Sequence, residues 1–145
     1  LELETAASIG DFSINVNLVY SKSEVTTNLG QPSVIGKTES GVPKVRFTIS
    51  PRYTLGALTL GATVRGRTQV YADGGNTQTV DGYYVVGGFA NYDFGNGFIG
   101  ALNVNNLFNK LHATGGAGFV NGSNTVLGAG VENGRTISAS LRYQF

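Results

Sequence analysis

The last eleven residues of the chain, RTISASLRYQF (135–145), alternate polar and apolar side chains without a break and end on an aromatic. Successive side chains of a strand point to opposite faces. Ile137, Ala139, Leu141, Tyr143 and Phe145 therefore share one face, and Thr136, Ser138, Ser140, Arg142 and Gln144 share the other. One face is apolar; the other carries hydroxyls, an amide and a guanidinium. A soluble sheet can be patterned this way, but free chain termini are ordinarily loose. An aromatic-tipped alternating terminus fits better a strand with hydrocarbon on one side and water on the other.

The same period recurs upstream. Leu1, Leu3, Thr5, Ala7 and Ile9 alternate with Glu2, Glu4, Ala6 and Ser8. After a Gly10-Asp11 turn, Phe12, Ile14, Val16, Leu18 and Tyr20 alternate with Ser13, Asn15, Asn17 and Val19, so the two segments predict a hairpin. Residues 22–43 lose the period and read as a long loop. A third strand spans 44–54, with Val45, Phe47, Ile49, Pro51 and Tyr53 on the apolar face; Pro51 lacks an N–H and predicts a local irregularity. A fourth strand begins at Leu58 and is open to continuation as far as Tyr71, before a polar loop over 72–81. The fifth, over 82–93, sets Tyr84, Val86, Gly88, Ala90 and Tyr92 against Tyr83, Val85, Gly87, Phe89 and Asn91, and either side could be the apolar one. A turn at 94–97 leads to a sixth strand from Phe98, and residues 110–133 read as a third long loop.

Composition narrows the class. Charged residues make up 13% of the chain, roughly half the ~25% usual in a globular domain, while mean hydropathy is +0.00. No apolar run approaches the ~18 residues of a membrane-spanning helix. A transmembrane β-barrel hides its apolar residues by alternation and is rich in turn glycines and interfacial aromatics. The 22 Gly, 7 Tyr and 8 Phe against 3 Pro fit that pattern. The net charge of +1 carries no basic stripe for nucleic acid. Without cysteine there is no disulfide framework and no thiolate site. There is no leader-like segment at Leu1, which predicts a processed start or the tail of a longer chain.

These residues predict an all-β fold: an antiparallel transmembrane β-barrel segment of about seven strands, with short turns at one end and long loops at the other. With seven strands the first and last run in the same direction and cannot pair antiparallel to close the barrel. Bare strand edges cost several kcal/mol per unpaired group in lipid, so the barrel is incomplete on its own. It needs outer-membrane lipid on one face and further strands at its edges.

Three elements then identify a family resemblance: YDFGNGF (92–98), LNVNNLFNK (102–110) and GRTISASLRYQF (134–145), preceded by VPKVRFTISPRYTL (42–55). In this order they are similar to the carboxyl-terminal end of TonB-dependent outer-membrane receptors. The resemblance implies the bacterial outer membrane and a barrel of about 22 strands around an amino-terminal plug, of which this chain matches roughly the last seven. It also implies a parent that imports a scarce nutrient such as an iron chelate, vitamin or oligosaccharide, with TonB acting only through the plug. No plug and no TonB-contacting segment is recognisable in residues 1–145. The alternative is a truncated receptor tail serving as a structural or interaction subunit beside other membrane chains. Ile137, Ala139, Leu141, Tyr143 and Phe145 are similar to the signal read by the barrel-assembly machinery.

No residue set predicts catalysis or a resident cofactor. Glu2 and Glu4 share a strand face without a pocket, and Arg46, Arg52, Arg65, Arg67 and Arg142 fall on inferred lumenal faces; together they read as a wet barrel lining. His112 reads as a surface loop residue without partners at metal-ligand spacing. Asp73-Gly74-Gly75-Asn76 lacks the alternating ligands of a calcium loop and reads as a turn. Gly116-Ala117-Gly118 lacks the strand and helix of a phosphate loop. Asn103 and Asn105 read as lumenal amides, and residues 106–109 as a strand exit at the outer rim.

Overall fold

Period-two patterning fixes which side chains share a face, and the turns fix how neighbouring strands register. The computed structural model describes residues 1–119 and 126–145, with side chains described outside 115–129. In chain order the elements are β1 (Glu2–Ile9), β2 (Phe12–Tyr20), a single 3-10 turn (Pro32–Val34), β3 (Val45–Leu55), β4 (Leu58–Arg67), β5 (Val70–Tyr71) and β6 (Thr79–Val80). They continue with β7 (Tyr83–Gly95), β8 (Phe98–Asn105), β9 (Ala113–Phe119), β10 (Val126–Val131) and β11 (Thr136–Tyr143).

Seven of these strands form one sheet in the order β1-β2-β3-β4-β7-β8-β11, every neighbour antiparallel. The sheet is not closed, and its edge strands β1 and β11 run in the same direction. Two-residue turns connect one end. At Asn96-Gly97 both residues have positive φ, 50° and 82°, the geometry whose twist matches a hairpin. The other end carries residues 21–44, 68–82 and 106–135.

Register settles the faces. Leu3 pairs with Leu18, Leu18 with Phe47, Phe47 with Gly66 and Gly66 with Tyr84. Another row joins Val16, Ile49, Val64 and Val86, and a third joins Leu60, Ala90, Leu102 and Ala139. The apolar face is thus continuous over all seven strands. On β7 it is the Tyr84 side, which alternation alone left open. From Val45 to Tyr53 eight steps of ~3.4 Å give about 27 Å along the strand, or about 20 Å through a membrane at ~40° tilt. That nearly fills the ~25 Å apolar band of such barrels. Aromatics gather at the turn end, with Phe98 and Tyr143 ring centroids 4.6 Å apart and those of Tyr92 and Phe94 4.8 Å apart.

Pro51 produces the expected irregularity in a mild form. It pairs with Ile14 on β2, but the β3–β4 ladder skips Ser50 and Pro51 and resumes in the same register at Arg52–Gly61. Three loop expectations are corrected. The fourth strand stops at Arg67, and Val70–Tyr71 pairs instead with Thr79–Val80, inside the segment read as plain loop. Residues 110–133 contain the β9–β10 hairpin. Backbone pairing there needs no side-chain alternation, so a glycine-rich stretch conceals it; the part of that reading that falls on 120–125 lies outside the described residues.

The outer segments have a small core of their own. Val34 and Val70 are 4% and 6% exposed, and Val85, on the polar face of β7, is 4% exposed. Asn76, at φ 59°, pairs with the backbone of Thr38: its Nδ2 donates to the carbonyl at 2.8 Å, and its Oδ1 accepts from the N–H at 2.7 Å. Segments 21–44 and 68–82 are thereby tied to each other.

Candidate functional site at the outer end of the polar face

At the loop end of the polar face, β3, β4 and β7 place Arg46, Arg65, Arg67 and Tyr83 around a cavity of about 330 Å3. Arg46 and Arg67 stand directly opposite each other, an arrangement that costs energy unless the charges are engaged elsewhere. Arg67 is engaged. It is 8% exposed, donates from Nη1 to the Thr68 carbonyl at 3.0 Å and from Nη2 to the Ala113 carbonyl at 2.9 Å. Its guanidinium also lies 5.0 Å from the centre of the Tyr83 ring, a cation–π contact.

Tyr83 stacks in turn on His112, centroids 5.2 Å apart and planes 15° from parallel. His112 is therefore not the free surface residue that its loop position suggests: it is half-buried, and its Nε2 is buried without a hydrogen-bond partner among the described residues. Arg65 reaches Glu132 with Nη2–Oε1 at 2.8 Å. Residues on both flanks of the β9–β10 hairpin are thus drawn onto the polar face. Arg46 stays exposed and makes no ion pair among the described residues. The wet-lining reading holds for Arg46 and fails for Arg67.

Asn106 holds the rim. It is 3% exposed with φ 48°, a conformation in which Asn is enriched. Its Nδ2 donates to the carbonyls of Lys110 and Asn133 at 2.7 and 2.8 Å, while Oδ1 accepts from the Lys110 N–H at 3.1 Å. Asn109 Oδ1 accepts from the Arg135 N–H at 2.8 Å. The strand exit foreseen at 106–109 is there, and its amides clamp both ends of the hairpin. Asn103 and Asn105 lie on the polar face as read, opposite Ser138 and Thr136.

Lower on the polar face, Arg52 lies 5.4 Å from the centre of the Phe89 ring, which covers Gly61 so closely that a Cβ there would collide. Asn17 donates to Glu4 at 2.7 Å, so that carboxylate is hydrogen-bonded wall. In the outer loop, burial of the Asp73 carboxylate pushes its pKa up. N–H bonds from Gln78 and Thr77 and the Thr77 hydroxyl outweigh that and hold it below the usual value. Asp73 closes a turn, as its sequence suggests. Gly116 and Gly118 fall inside β9.

The terminal residues line up along the free edge. Ile137, Ala139, Leu141 and Tyr143 oppose Val104, Leu102, Gly100 and Phe98. Phe145 lies past the end of β11 with its ring 6.1 Å from that of Tyr143. Among the described residues no three His, Asp or Glu side chains converge into a metal-binding group. The arginine-lined cavity is suited to holding an anion beside aromatic surface. Sequence alone missed the Arg67–Tyr83–His112 stack because it joins three segments across two loops. The one available signal was that Arg65 and Arg67 share strand parity at a loop end.

Residues 1–107 match the family model described as TonB dependent receptor-like, beta-barrel. Among solved structures, the siderophore receptor PiuA from Acinetobacter baumannii is 27% identical with a TM-score of 0.79, the match covering 97% of this chain and 21% of that one. The ferric yersiniabactin uptake receptor FyuA from Yersinia pestis is 25% identical with a TM-score of 0.80, covering 99% and 23%. BauA, the ferric preacinetobactin receptor from Acinetobacter baumannii, shares the fold at 22% identity and a TM-score of 0.80, covering 99% and 21%. A comparison with curated proteins returns no match. The chain spans about a fifth of the length of the solved receptors it matches. With its unclosed seven-stranded sheet and family-model match, the chain belongs to the TonB-dependent receptor-like β-barrel family of the bacterial outer membrane.

Proposed function

We propose that this chain is the carboxyl-terminal stretch of wall of an outer-membrane transporter that imports an iron chelate. The single observation that carries the reading is the placement of Arg46, Arg65, Arg67 and Tyr83 around one cavity at the outer end of the lumenal face. The siderophore and ferric yersiniabactin receptors named above support the substrate class. An anionic chelate entering from outside meets the exposed Arg46 guanidinium first and aromatic surface beside it. Arginine suits this task because its planar fork binds carboxylate and catecholate-type oxygens in pairs. The remaining strands, the plug and TonB complete the transporter, TonB acting through the plug. Ile137, Ala139, Leu141, Tyr143 and Phe145 serve the barrel-assembly machinery as the recognition strand.

The test uses the full-length receptor in iron-starved cells and follows uptake of radiolabelled ferric chelates. Arg46→Glu is expected to raise the half-saturating concentration of an anionic chelate by about tenfold or more, the scale of losing one charge-assisted contact, with outer-membrane abundance unchanged. Undiminished uptake of every ferric chelate in this variant would remove the cavity from the transport path.

A further inference from the structure

A second cavity lies behind the first, on the other side of the same strand ends. Its volume is about 350 Å3, at the small end of the range for ligand sites, and its lining includes Tyr20, Val42, Lys44, Val45, Val70 and Tyr71. Alternation sets its side. Tyr20 pairs with Val45 at the top of the apolar face, whereas their chain neighbours Val19 and Arg46 line the lumenal cavity. Thr68, next after Arg67, also lines the second cavity; its N–H donates to the Val45 carbonyl at 2.9 Å and its Oγ1 accepts from the Val45 N–H at 3.0 Å. The cavity therefore sits on the membrane side, where Tyr20 marks the interface that tyrosines favour.

The walls are held from both outer segments. The Gly41 N–H donates to the Tyr71 carbonyl at 2.8 Å, and the Asn76 amide fixes Thr38, another lining residue. The lining is mostly apolar and contains no Asp or Glu, and Lys44 is exposed without an ion-pair partner among the described residues. A preformed apolar cavity in which Lys44 is the one cation without an ion pair among the described residues, at the level of lipid headgroups, is complementary to an anionic amphiphile.

We propose that this cavity is a binding site for a lipid of the outer leaflet whose phosphate headgroup is net anionic. One acyl chain lies against Val42, Val45, Val70 and the two tyrosines, and the phosphate meets Lys44. The proposal concerns the membrane side of the wall and stands whichever chelate passes through the lumen.

The test takes the full-length receptor, stripped of lipid in neutral detergent, and counts retained lipid by native mass spectrometry after adding phosphatidic acid or phosphatidylcholine. Phosphatidic acid is expected to be retained about fivefold better, the scale of one lysine meeting an anionic headgroup. Lys44→Gln abolishes that preference. Val42→Trp fills the cavity and lowers retention of both lipids, while Arg142→Gln, at the far end of the lumenal face, changes neither. Heat-modifiable gel mobility confirms that each variant is folded. Equal retention of the two lipids by the native receptor, or an undiminished preference in Lys44→Gln, overturns the proposal. So does loss of bound phosphatidic acid on adding inorganic phosphate alone, which would mark a phosphate-ion site.

Discussion

Ile49 in the middle of β3 and Val34 in the outer segment 21–44 are both aliphatic, yet one is half-exposed and the other 4% exposed. Ile49 belongs to a wall one sheet thick, whose apolar side chains have no protein layer against them among the described residues and whose order within the strands comes from the ladder and from lipid. Val34 belongs to a small cap that excludes water by its own packing, helped by side-chain amides such as Asn76 and Asn106. The wall tolerates apolar exposure because its solvent is hydrocarbon, where backbone pairing is obligatory. The cap stands in water and has to build a core. One chain thus obeys two burial rules, divided at the level of Tyr20 and Tyr84.

Substitutions can break this division, and the largest effect belongs to the wall. Ile49→Arg puts a charge at mid-span on the apolar face and should cost about 2–4 kcal/mol of folding free energy in bilayers. Leu141→Arg, one pair away from the Tyr143–Phe98 aromatics, should cost less, and lumen-facing Ser140→Arg least. Denaturant titration in vesicles checks the order; equal losses at the three positions would mean that the faces are wrongly assigned.

Next comes the cap. Asn106→Ala strands the Lys110 and Asn133 carbonyls and the Lys110 N–H, a loss of about 1–3 kcal/mol of local stability. Hydrogen exchange over 106–114 and 130–136 should accelerate while β1 to β4 keep their protection. Acceleration throughout the sheet would show the two regions to be one cooperative unit. A smaller effect is expected from Arg65→Ala, about 0.2–1 kcal/mol, because that ion pair is partly exposed and its guanidinium side is 47% open.

The smallest effect is set by pH. Asp73 has its pKa held below the usual carboxylate value, so its turn is stabilised by ionisation above the unfolded value and loses that contribution as the pH falls through the lower folded one. Proteolysis within 68–82 should increase in acid, and Asp73→Asn should remove the pH dependence without altering the wall.

The wall was nearly all legible beforehand. A strand in lipid has its neighbours' polarity written into every second residue, so Ile137 through Tyr143 could be assigned a face from the chain alone. Strand number and the alternation of short with long connections came from the same signal. The cap was not legible: Val80 and His112 sit in segments with no period, Val70 falls where the fourth strand's pattern leaves its end open, and a two-residue strand or a glycine-rich hairpin leaves no pattern.

What the sequence determined by itself was the membrane-spanning architecture and the polarity of six of the seven strands, because alternation is a local property of each strand. Tertiary structure decided the apolar side of β7, the engagement of Arg67 with Tyr83 and Ala113, and the two cavities on either side of one set of strand ends. Each of these depends on register and on loops folding back across many residues. The energy that fixes them comes from partners distant in the chain, and no local pattern encodes it.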